Sequence, residues 1–176
     1  MKNHYIISQN VITDKSIRFA NYAVDYLVVL GLTMLIMLVV MLLSDLLMYD
    51  SSSFFSSIEN MNRLEEYLFG LLITIPYYIL MEGLTARTIG KYLTGTIVVD
   101  NEGNKPSTET LIKRSFCRAI PFNALSFLGE KSRGWHDSIT NTYVVNKKFL
   151  ETEKQNYFEL EEIGKKDFEQ EDIYSI

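Results

Sequence analysis

The sequence contains only one cysteine, one tryptophan and two histidines among 176 residues. A single thiol cannot form a disulfide within the chain, and it is compatible with a segment that faces a reducing compartment. His4 and His136 are far apart in the sequence, so no metal-binding motif is present. No spacing of Ser, His and Asp indicates nucleophilic catalysis. We therefore expect no enzymatic activity, no cofactor and no metal.

A nucleotide-binding loop is also missing. The segment TIGK at residues 88–91 contains Gly-Lys, as phosphate-binding loops do. Those loops require Gly, four residues and then Gly-Lys-Ser/Thr, because backbone amides, the lysine and the hydroxyl all contact phosphate or its metal. Here Tyr92 follows Lys91, and Gly83 lies seven residues before Gly90. We expect neither a nucleotide site nor a nucleic-acid partner.

Lys, Arg and Pro are absent from a long apolar run, Phe19–Leu43. Its 25 residues would form a helix of roughly 37 Å, longer than the ~30 Å hydrocarbon core of a bilayer. A buried core helix is the alternative, but residues 27–43 are apolar on every side and the chain is small. A cleaved signal peptide fits poorly, because the run is too long and no small-residue cleavage site follows. A spanning helix is expected at about 19–43.

A second apolar run covers Tyr67–Leu84, with Glu82 near its end and Pro76 in its middle. Spanning helices tolerate proline, because neighbouring groups can satisfy the freed carbonyl. We expect a second span at about 67–86, kinked at residues 73–76. The sequence thus predicts an integral membrane protein, mainly α, built on a two-helix transmembrane hairpin in residues 18–148.

Two smaller elements are expected beside this hairpin. Residues 119–129 form an apolar stretch of 11 residues, roughly half a bilayer as a helix, so the segment at about 111–129 is predicted to be interfacial or re-entrant. The runs at 96–99 and 140–148 are rich in Val, Ile and Thr and are bounded by turn residues. They are expected to pair as a small cytoplasmic β element.

The distribution of basic residues predicts the orientation in the membrane. Residues 45–66 contain one basic and five acidic side chains, whereas residues 85–118 contain six basic ones. The positive-inside rule then places the 45–66 loop outside and both termini in the cytoplasm, including the N-terminal segment 1–17. A multi-pass protein of the inner (plasma) membrane is expected, with the lipid bilayer as its first partner.

Four ionisable residues are predicted to meet at one end of the hairpin. Asp25 lies seven residues after Arg18, two turns along the same helix face. Glu82 and Arg87 come from the end of the second helix, which an antiparallel hairpin brings to the same level. A carboxylate in hydrocarbon costs about 2.5 to 3.5 kcal/mol, so Asp25 should face the protein. Either the four residues form a proton or cation site, or Asp25 pairs with Arg18 or Arg87 and locks the helices together.

Several motifs occur in an order that resembles the RDD family of membrane proteins. They are Arg18 and Asp25 in the first apolar run, TIGKYLTGTIVVDNEG, RSFCRAIPF and RGWHDSITNTYVV, within about residues 16–147. The family is named for one arginine and two aspartates, which correspond here to Arg18, Asp25 and Asp137. The resemblance implies a two-helix membrane domain that is often linked to transport of small ligands. Many relatives have a longer apolar stretch before His136, so two spans are expected here.

A membrane-surface motif is the second candidate site. It consists of Arg118, Arg133, Trp135, His136 and Asp137, since Trp favours the bilayer interface and Arg can meet lipid phosphates. We expect this motif to fold back against the ends of the helices, where Asp137 would meet Arg18, Arg87 or Arg118. A turn or helix-cap role for Asp137 is the alternative.

The C-terminal residues 149–176 form an acidic tail, with nine acidic residues and three lysines. Their pattern predicts a short amphipathic helix around Tyr157–Ile163 and disorder elsewhere.

For the whole chain, two functions are considered. The first is transport of a small solute, cation or proton by a homo-oligomer, because two helices cannot enclose a pore. The second is a non-transporting scaffold or accessory subunit bound to another membrane protein.

Overall fold

The computed structural model describes residues 5–121, 123, 126 and 133–174, with side chains described as far as residue 163. The protein is mostly helical and carries one small sheet. A 3₁₀ turn at Gln9–Val11 precedes the first helix. The elements that follow are α1 (Lys15–Leu46), α2 (Ser52–Glu59), α3 (Arg63–Thr85), α4 (Ile89–Thr94), β1 (Thr96–Val99), α5 (Thr108–Cys117), α6 (Trp135–Ile139), β2 (Tyr143–Asn146) and α7 (Lys147–Tyr174).

Helices α1 and α3 are the two candidate membrane-spanning helices among the described residues. They contain 32 and 23 residues, and each has the length and apolar composition needed to cross a bilayer. Only 6% of the most apolar part of α1 and 22% of that of α3 is buried within the chain. A core helix of a soluble protein would be mostly buried, so these exposed apolar faces favour lipid or other helices as their surroundings. The predicted spans fall on these two helices, and the second ends at Thr85.

The ends of α3 are fixed by specific contacts. Asn62 caps its first turn by accepting from the backbone amides of Leu64 and Glu65, and the Glu65 carboxylate accepts from the Asn62 amide at 2.8 Å. The helix continues through Pro76 and ends at Thr85, and the next residue, Ala86, caps it with a left-handed φ of 55°. The Ala86 carbonyl then accepts from Val98 at 3.0 Å. This contact ties the end of α3 directly to the sheet.

Strands β1 and β2 pair in antiparallel register, with Val98 opposite Val144. The prediction of a small β element from the two β-branched runs is therefore confirmed. A two-stranded sheet is marginal alone, and here an isolated bridge from Ile12 to Val145 extends it. The sheet separates two small apolar cores. One contains Tyr5, Val11, Val99, Val145 and Leu150, and the other contains Ala86, Val98, Leu111 and Val144.

Helix α5 packs on α3 and leads into the predicted interfacial segment. Its buried face contains Leu111, Arg114 and Ser115. Just beyond it, the Ala119 carbonyl accepts from the Tyr67 hydroxyl at 2.7 Å, so this stretch runs beside α3 towards its N-terminal half. The predicted segment 111–129 thus begins as a helix packed on α3. Of its residues, 122, 124, 125 and 127–129 lie outside the described part of the chain.

The acidic tail is helical over a longer range than its sequence predicts. Helix α7 runs from Lys147 to Tyr174, so the prediction of a helix confined to Tyr157–Ile163 is wrong. The reason is the anchoring of its first turns. Leu150 is buried in the core beneath the sheet, and Tyr157 packs edge-to-face on Tyr5 with ring centroids 5.6 Å apart. Tertiary contacts of this kind stabilise helices that composition alone does not.

Gly90 sets the closest approach between α1 and α4. A Cβ atom at this position would lie 2.4 Å from the backbone oxygen of Asn21, a distance that side-chain rotation cannot relieve. We predict that Gly90→Ala destabilises the protein by about 1 to 3 kcal/mol, as overpacking does in other cores. The matched control is Gly31→Ala on α1, where a Cβ meets nothing within 4 Å. Thermal unfolding of both purified variants in detergent checks this, and equal midpoints would contradict it.

Candidate functional site

Asp25 is the junction of three helices. Its carboxylate accepts from the Tyr77 hydroxyl of α3 at 2.9 Å, from the Thr88 hydroxyl at 2.6 Å and from the Gly90 amide of α4 at 2.9 Å. The residue is 2% exposed. Three donors are an effective replacement for hydration, so a buried carboxylate is stable here without a direct cation. These three hydrogen bonds therefore link α1 to the end of α3 and the start of α4.

Glu82 is the centre of a buried ion network. Its two oxygens contact Lys91 Nζ at 2.8 Å, Arg114 Nε at 3.0 Å and Arg118 Nη2 at 2.8 Å. Glu82 and Arg114 are fully buried. Arg118 also stacks over the Tyr78 ring, 3.8 Å from its centroid. Three cations from α4, α5 and the following turn therefore converge on one carboxylate of α3.

Asp137 forms a second buried centre next to the first. It forms ion pairs with Arg18 of α1 and with Arg114 of α5, and it also accepts from the Gly134 amide at 3.1 Å. Arg114 consequently bridges Glu82 and Asp137. We call Arg18, Asp25, Glu82, Lys91, Arg114, Arg118 and Asp137 together the polar cluster. It joins the start of α1 and the end of α3 to the rest of the chain.

The electrostatic state of the residues outside the two long helices follows from burial and charge. Burial opposes the charged form of Asp137, but Arg114 and Arg18 hold the pKa of this carboxyl well below its usual range. Burial lowers the pKa of Lys91, against the opposing effect of Glu82. Burial also holds the pKa of His136 well below its usual value, so this imidazole is neutral at pH 7. Its Nδ1 lies 3.0 Å from the Asn123 side-chain oxygen.

The structure brings Arg18, Asp25 and Glu82 into the polar cluster but gives them partners other than one another. Arg18 pairs with Asp137 rather than with Asp25, and Glu82 lies in its own network. Arg87 lies outside the polar cluster, half-buried, with its guanidinium 5.3 Å from the centroid of the Tyr92 ring. The chain turns sharply after Thr85, so the basic residue of this stretch that reaches Glu82 is Lys91, four residues after Arg87.

The predicted membrane-surface motif divides into buried and exposed parts. His136 and Asp137 are buried, and Asp137 meets Arg18, one of its three predicted partners. Trp135 is 48% exposed. Arg133 donates to the Asp137 carbonyl at 3.2 Å and stacks over Tyr143. Arg133 therefore contacts the backbone of its own motif. Asp137 caps α6 and also links this helix to α1 and α5.

Sequence reasoning missed Lys91 and Arg114 as members of the site. A helical-spacing signal for Arg114 was present, because Leu111, Arg114, Ser115 and Arg118 lie three or four residues apart on one helix face. A basic residue on an otherwise buried face indicates a buried acidic partner. No equivalent signal marks Lys91, whose burial depends on the close approach of Gly90 to α1.

A groove of about 590 Å³ lies between α1 and α3, next to the polar cluster. Most of its wall surface is apolar, but ten of its sixteen lining residues carry a hydroxyl, amide or charged group. The polar or charged lining residues are Tyr22, Asp25, Tyr26, Thr33, Glu66, Tyr67, Thr74, Tyr78, Arg118 and Asn123. Sites for small molecules have this size and this mixture of apolar walls with a few polar groups. Asp25 and Arg118 stand at the end of the groove that meets the cluster.

The sequence model of the RDD family matches residues 16–141. The chain belongs to the RDD family. No curated protein and no solved structure matches this sequence. The RDD region therefore includes α1 to α6 and the whole polar cluster, and α7 follows it. The three residues that the sequence resemblance assigns to the family name, Arg18, Asp25 and Asp137, all lie in this cluster. Within the described ranges, no group of three or more His, Cys, Asp or Glu side chains is placed to hold a metal ion.

The buried neutral imidazole of this RDD protein gives a pH prediction. Because His136 binds a proton more weakly in the folded than in the unfolded chain, stability is retained above the unfolded pKa of about 6.5 and lost as pH falls below it. The limiting slope is about 1.4 kcal/mol per pH unit. We expect His136→Gln to flatten the decline of unfolding midpoint between pH 7 and 5. His4→Gln is the control, and an unchanged slope in His136→Gln would contradict the assignment.

Proposed function

We propose that the chain is a subunit of a homo-oligomeric membrane transporter for a small solute, a cation or a proton. The observation that carries this proposal is the groove between α1 and α3, with its ~590 Å³ volume and its polar groups in apolar walls. Asp25 and Arg118 offer both signs of charge at one end of it. No enzymatic step and no cofactor form part of the proposal.

The exposed faces of the two long helices support an assembly. Large apolar side chains such as Leu35, Leu42, Leu72 and Leu80 are more than half exposed within the single chain. Two helices alone cannot surround an aqueous path, since every backbone and polar group in lipid must be covered. Neighbouring copies that cover the open side of the groove would complete a pathway. The remaining apolar surface would face the bilayer.

The orientation proposed for the assembly follows from charge. The polar cluster joins Arg18, near the start of α1, to Lys91, Arg114 and Arg118 from the stretch 85–118, which contains six basic residues. Residues 45–66, in contrast, contain five acidic side chains and one basic one. The positive-inside rule then supports a cytoplasmic polar cluster, with both termini in the cytoplasm and an inner-membrane location. The Asp25 and Arg118 end of the groove would face the cytoplasm.

Flux through liposomes that contain the purified chain tests this function. Thr74 lines the groove, and Thr74→Trp should obstruct it, whereas Leu72 on the same helix is 72% exposed and does not line it. We expect Thr74→Trp to lower flux at least tenfold and Leu72→Trp to leave it unchanged. The probes are a pH-sensitive dye for protons, sodium and potassium gradients, and light scattering during osmotic swelling in urea or glycerol. Absence of protein-dependent flux with all probes contradicts transport.

Asp25→Asn is a less selective test of transport. An amide cannot accept from all three of Tyr77, Thr88 and Gly90 as a carboxylate does, so the variant combines a charge change with lost hydrogen bonds. Retention of the oligomer with loss of flux would assign Asp25 to the pathway. Loss of the folded protein would assign it to the helix junction.

A scaffold or accessory subunit is the second candidate function. The observation that favours it is the occupancy of two of the three buried carboxylates, since Asp25 has three donors and Glu82 has three cations within 3.0 Å. Carboxylates whose oxygens already contact several donors of the same chain are typical of residues that hold helices together. This function predicts a stoichiometric complex with an unrelated membrane protein and no flux by the isolated chain.

A further inference from the structure

Helix α4 lies at the level where one long apolar helix begins and the other ends. Gly90 approaches α1 so closely that a Cβ atom there would lie 2.4 Å from the backbone oxygen of Asn21. Asn21 is two residues inside the apolar run that starts at Phe19. On the other side, α3 ends at Thr85 and α4 begins at Ile89. With α1 and α3 across a bilayer, α4 and the turn before it therefore lie in the headgroup region.

This part of the chain exposes apolar side chains on both sides of the turn. Leu80 and Leu84, one helical turn apart at the end of α3, are 61% and 75% exposed. Tyr92 and Leu93 of α4 are 47% and 73% exposed. Tyrosine favours the membrane interface, and apolar faces at this level are buried between headgroups and acyl chains. The apolar surface of α3 therefore continues onto α4 and suits the acyl chains of a lipid.

Two basic side chains lie at the end of α3, beside this apolar surface. Arg87 follows the helix by two residues, and its guanidinium lies 5.3 Å from the centroid of the Tyr92 ring. Lys105 Nζ donates to the carbonyls of Gly83 and Leu84, at 3.1 and 2.8 Å. An ammonium has three donors, so one remains for another acceptor. Both cations are thus held where the last turn of α3 meets the headgroup region.

Within the described ranges, neither of these side chains has a carboxylate partner. Arg87 contacts the Tyr92 ring, and Lys105 contacts backbone carbonyls. Residues 83–99 contain no Asp or Glu. Lys91, the other basic residue of this stretch, is buried against Glu82. Arg87 and Lys105 are therefore available to an acceptor from outside the chain, and in the headgroup region the anionic acceptor is lipid phosphate.

We propose that Arg87 and Lys105 bind the phosphate of an anionic lipid, whose acyl chains lie on Leu84 and Leu93. A guanidinium suits this role because it can donate two parallel hydrogen bonds to one phosphate. None of these four residues lines the groove between α1 and α3. The assignment therefore goes beyond the transport proposal and does not depend on it. The bound lipid would hold the end of α3 and α4 at the membrane surface.

Native mass spectrometry of the full-length protein in detergent tests the site. Protein stripped of lipid is titrated with dioleoyl phosphatidylglycerol or, at the same concentrations, with dioleoyl phosphatidylcholine. We expect saturable binding of phosphatidylglycerol, at least about fivefold tighter than that of phosphatidylcholine. Soluble glycerol 3-phosphate should not compete, because it has no chains to cover the apolar surface. Equal affinity for the two lipids overturns the proposal. Displacement by glycerol 3-phosphate would assign a site for free phosphate and would overturn it as well.

Matched variants locate the lipid. We expect Arg87→Gln to weaken phosphatidylglycerol binding about fivefold, the effect of one basic residue near a membrane surface, while Arg87→Lys retains most of the affinity. Lys105→Gln, at an exposed side chain, should weaken it similarly and makes the test independent of packing around Arg87. Arg63→Gln is the control, since it makes the same charge change at the opposite end of α3. Wild-type affinity in both Arg87→Gln and Lys105→Gln, or an equal loss in Arg63→Gln, overturns the assignment.

Discussion

Glu82→Gln is expected to abolish the stable fold of this protein. The substitution keeps the shape of the side chain but removes the charge of a carboxylate that Lys91, Arg114 and Arg118 all contact. Removing one partner of a buried ion pair costs about 3 to 5 kcal/mol, because the remaining charge stays buried without compensation. Here Lys91 and Arg118 lose the carboxylate that they contact, and Arg114 keeps only its pair with Asp137. The monodisperse fraction on size-exclusion chromatography in detergent and the unfolding midpoint measure the effect.

Glu109→Gln is the control for this prediction. Glu109 pairs with Lys113 one turn along α5, but both side chains are more than 60% exposed. Exposed pairs of this kind contribute little, since water and salt screen them. We expect no measurable change in the midpoint of this control. A Glu82→Gln protein that unfolds at the same temperature as the control would show that the network does not hold α3 to α4 and α5.

Asp137→Asn is expected to have the second largest effect. It removes the charge that pairs with Arg18 and Arg114, although an amide can still accept from the Gly134 amide. We expect destabilisation of about 3 to 5 kcal/mol, because Arg18 and Arg114 both lose the charge of Asp137 that offsets their burial. Because the pKa of Asp137 is held well below its usual range, wild-type stability from this group is present above about pH 4 and is lost as pH falls further.

A second substitution separates charge from shape at this position. Arg18→Met in the Asp137→Asn background removes one of the two cations that pair with Asp137, so the double variant should be less destabilised than the sum of the two single variants. Glu151→Gln is the exposed control, since its pair with Lys147 lies at the surface. Additive losses in the double variant would contradict a direct coupling between Arg18 and Asp137.

The two long apolar helices and the strands could be predicted because each is a local pattern. A run without Lys, Arg or Pro predicts α1, and the apolar run around Pro76 predicts α3. The strands follow from β-branched residues between turns, and their pairing needs only two candidates. The helix α7 could not be predicted in full, because its first turns depend on contacts of Leu150 and Tyr157 with distant residues.

The polar cluster could be predicted in composition but not in pairing. An ionisable residue in an apolar run must have a partner, so Asp25 and Glu82 are identifiable from the sequence. Their partners depend on the left-handed turn at Ala86, which is invisible in a hydropathy pattern. That turn places α4 against α1, so Asp25 meets Thr88 and Gly90 while Lys91 reaches Glu82. Lys91 therefore contacts Glu82, although Arg87 lies closer to Glu82 in the sequence.

The mass of the purified protein in lipid nanodiscs, determined by native mass spectrometry with identification of co-purifying proteins, tests the proposed transporter most directly. We predict a homo-oligomer of three or more copies, because a pathway along the groove needs neighbours to cover its open side. The groove variant Thr74→Trp should retain that oligomer. A monomer, or a stoichiometric complex with an unrelated protein, would contradict a self-contained transporter and favour the scaffold.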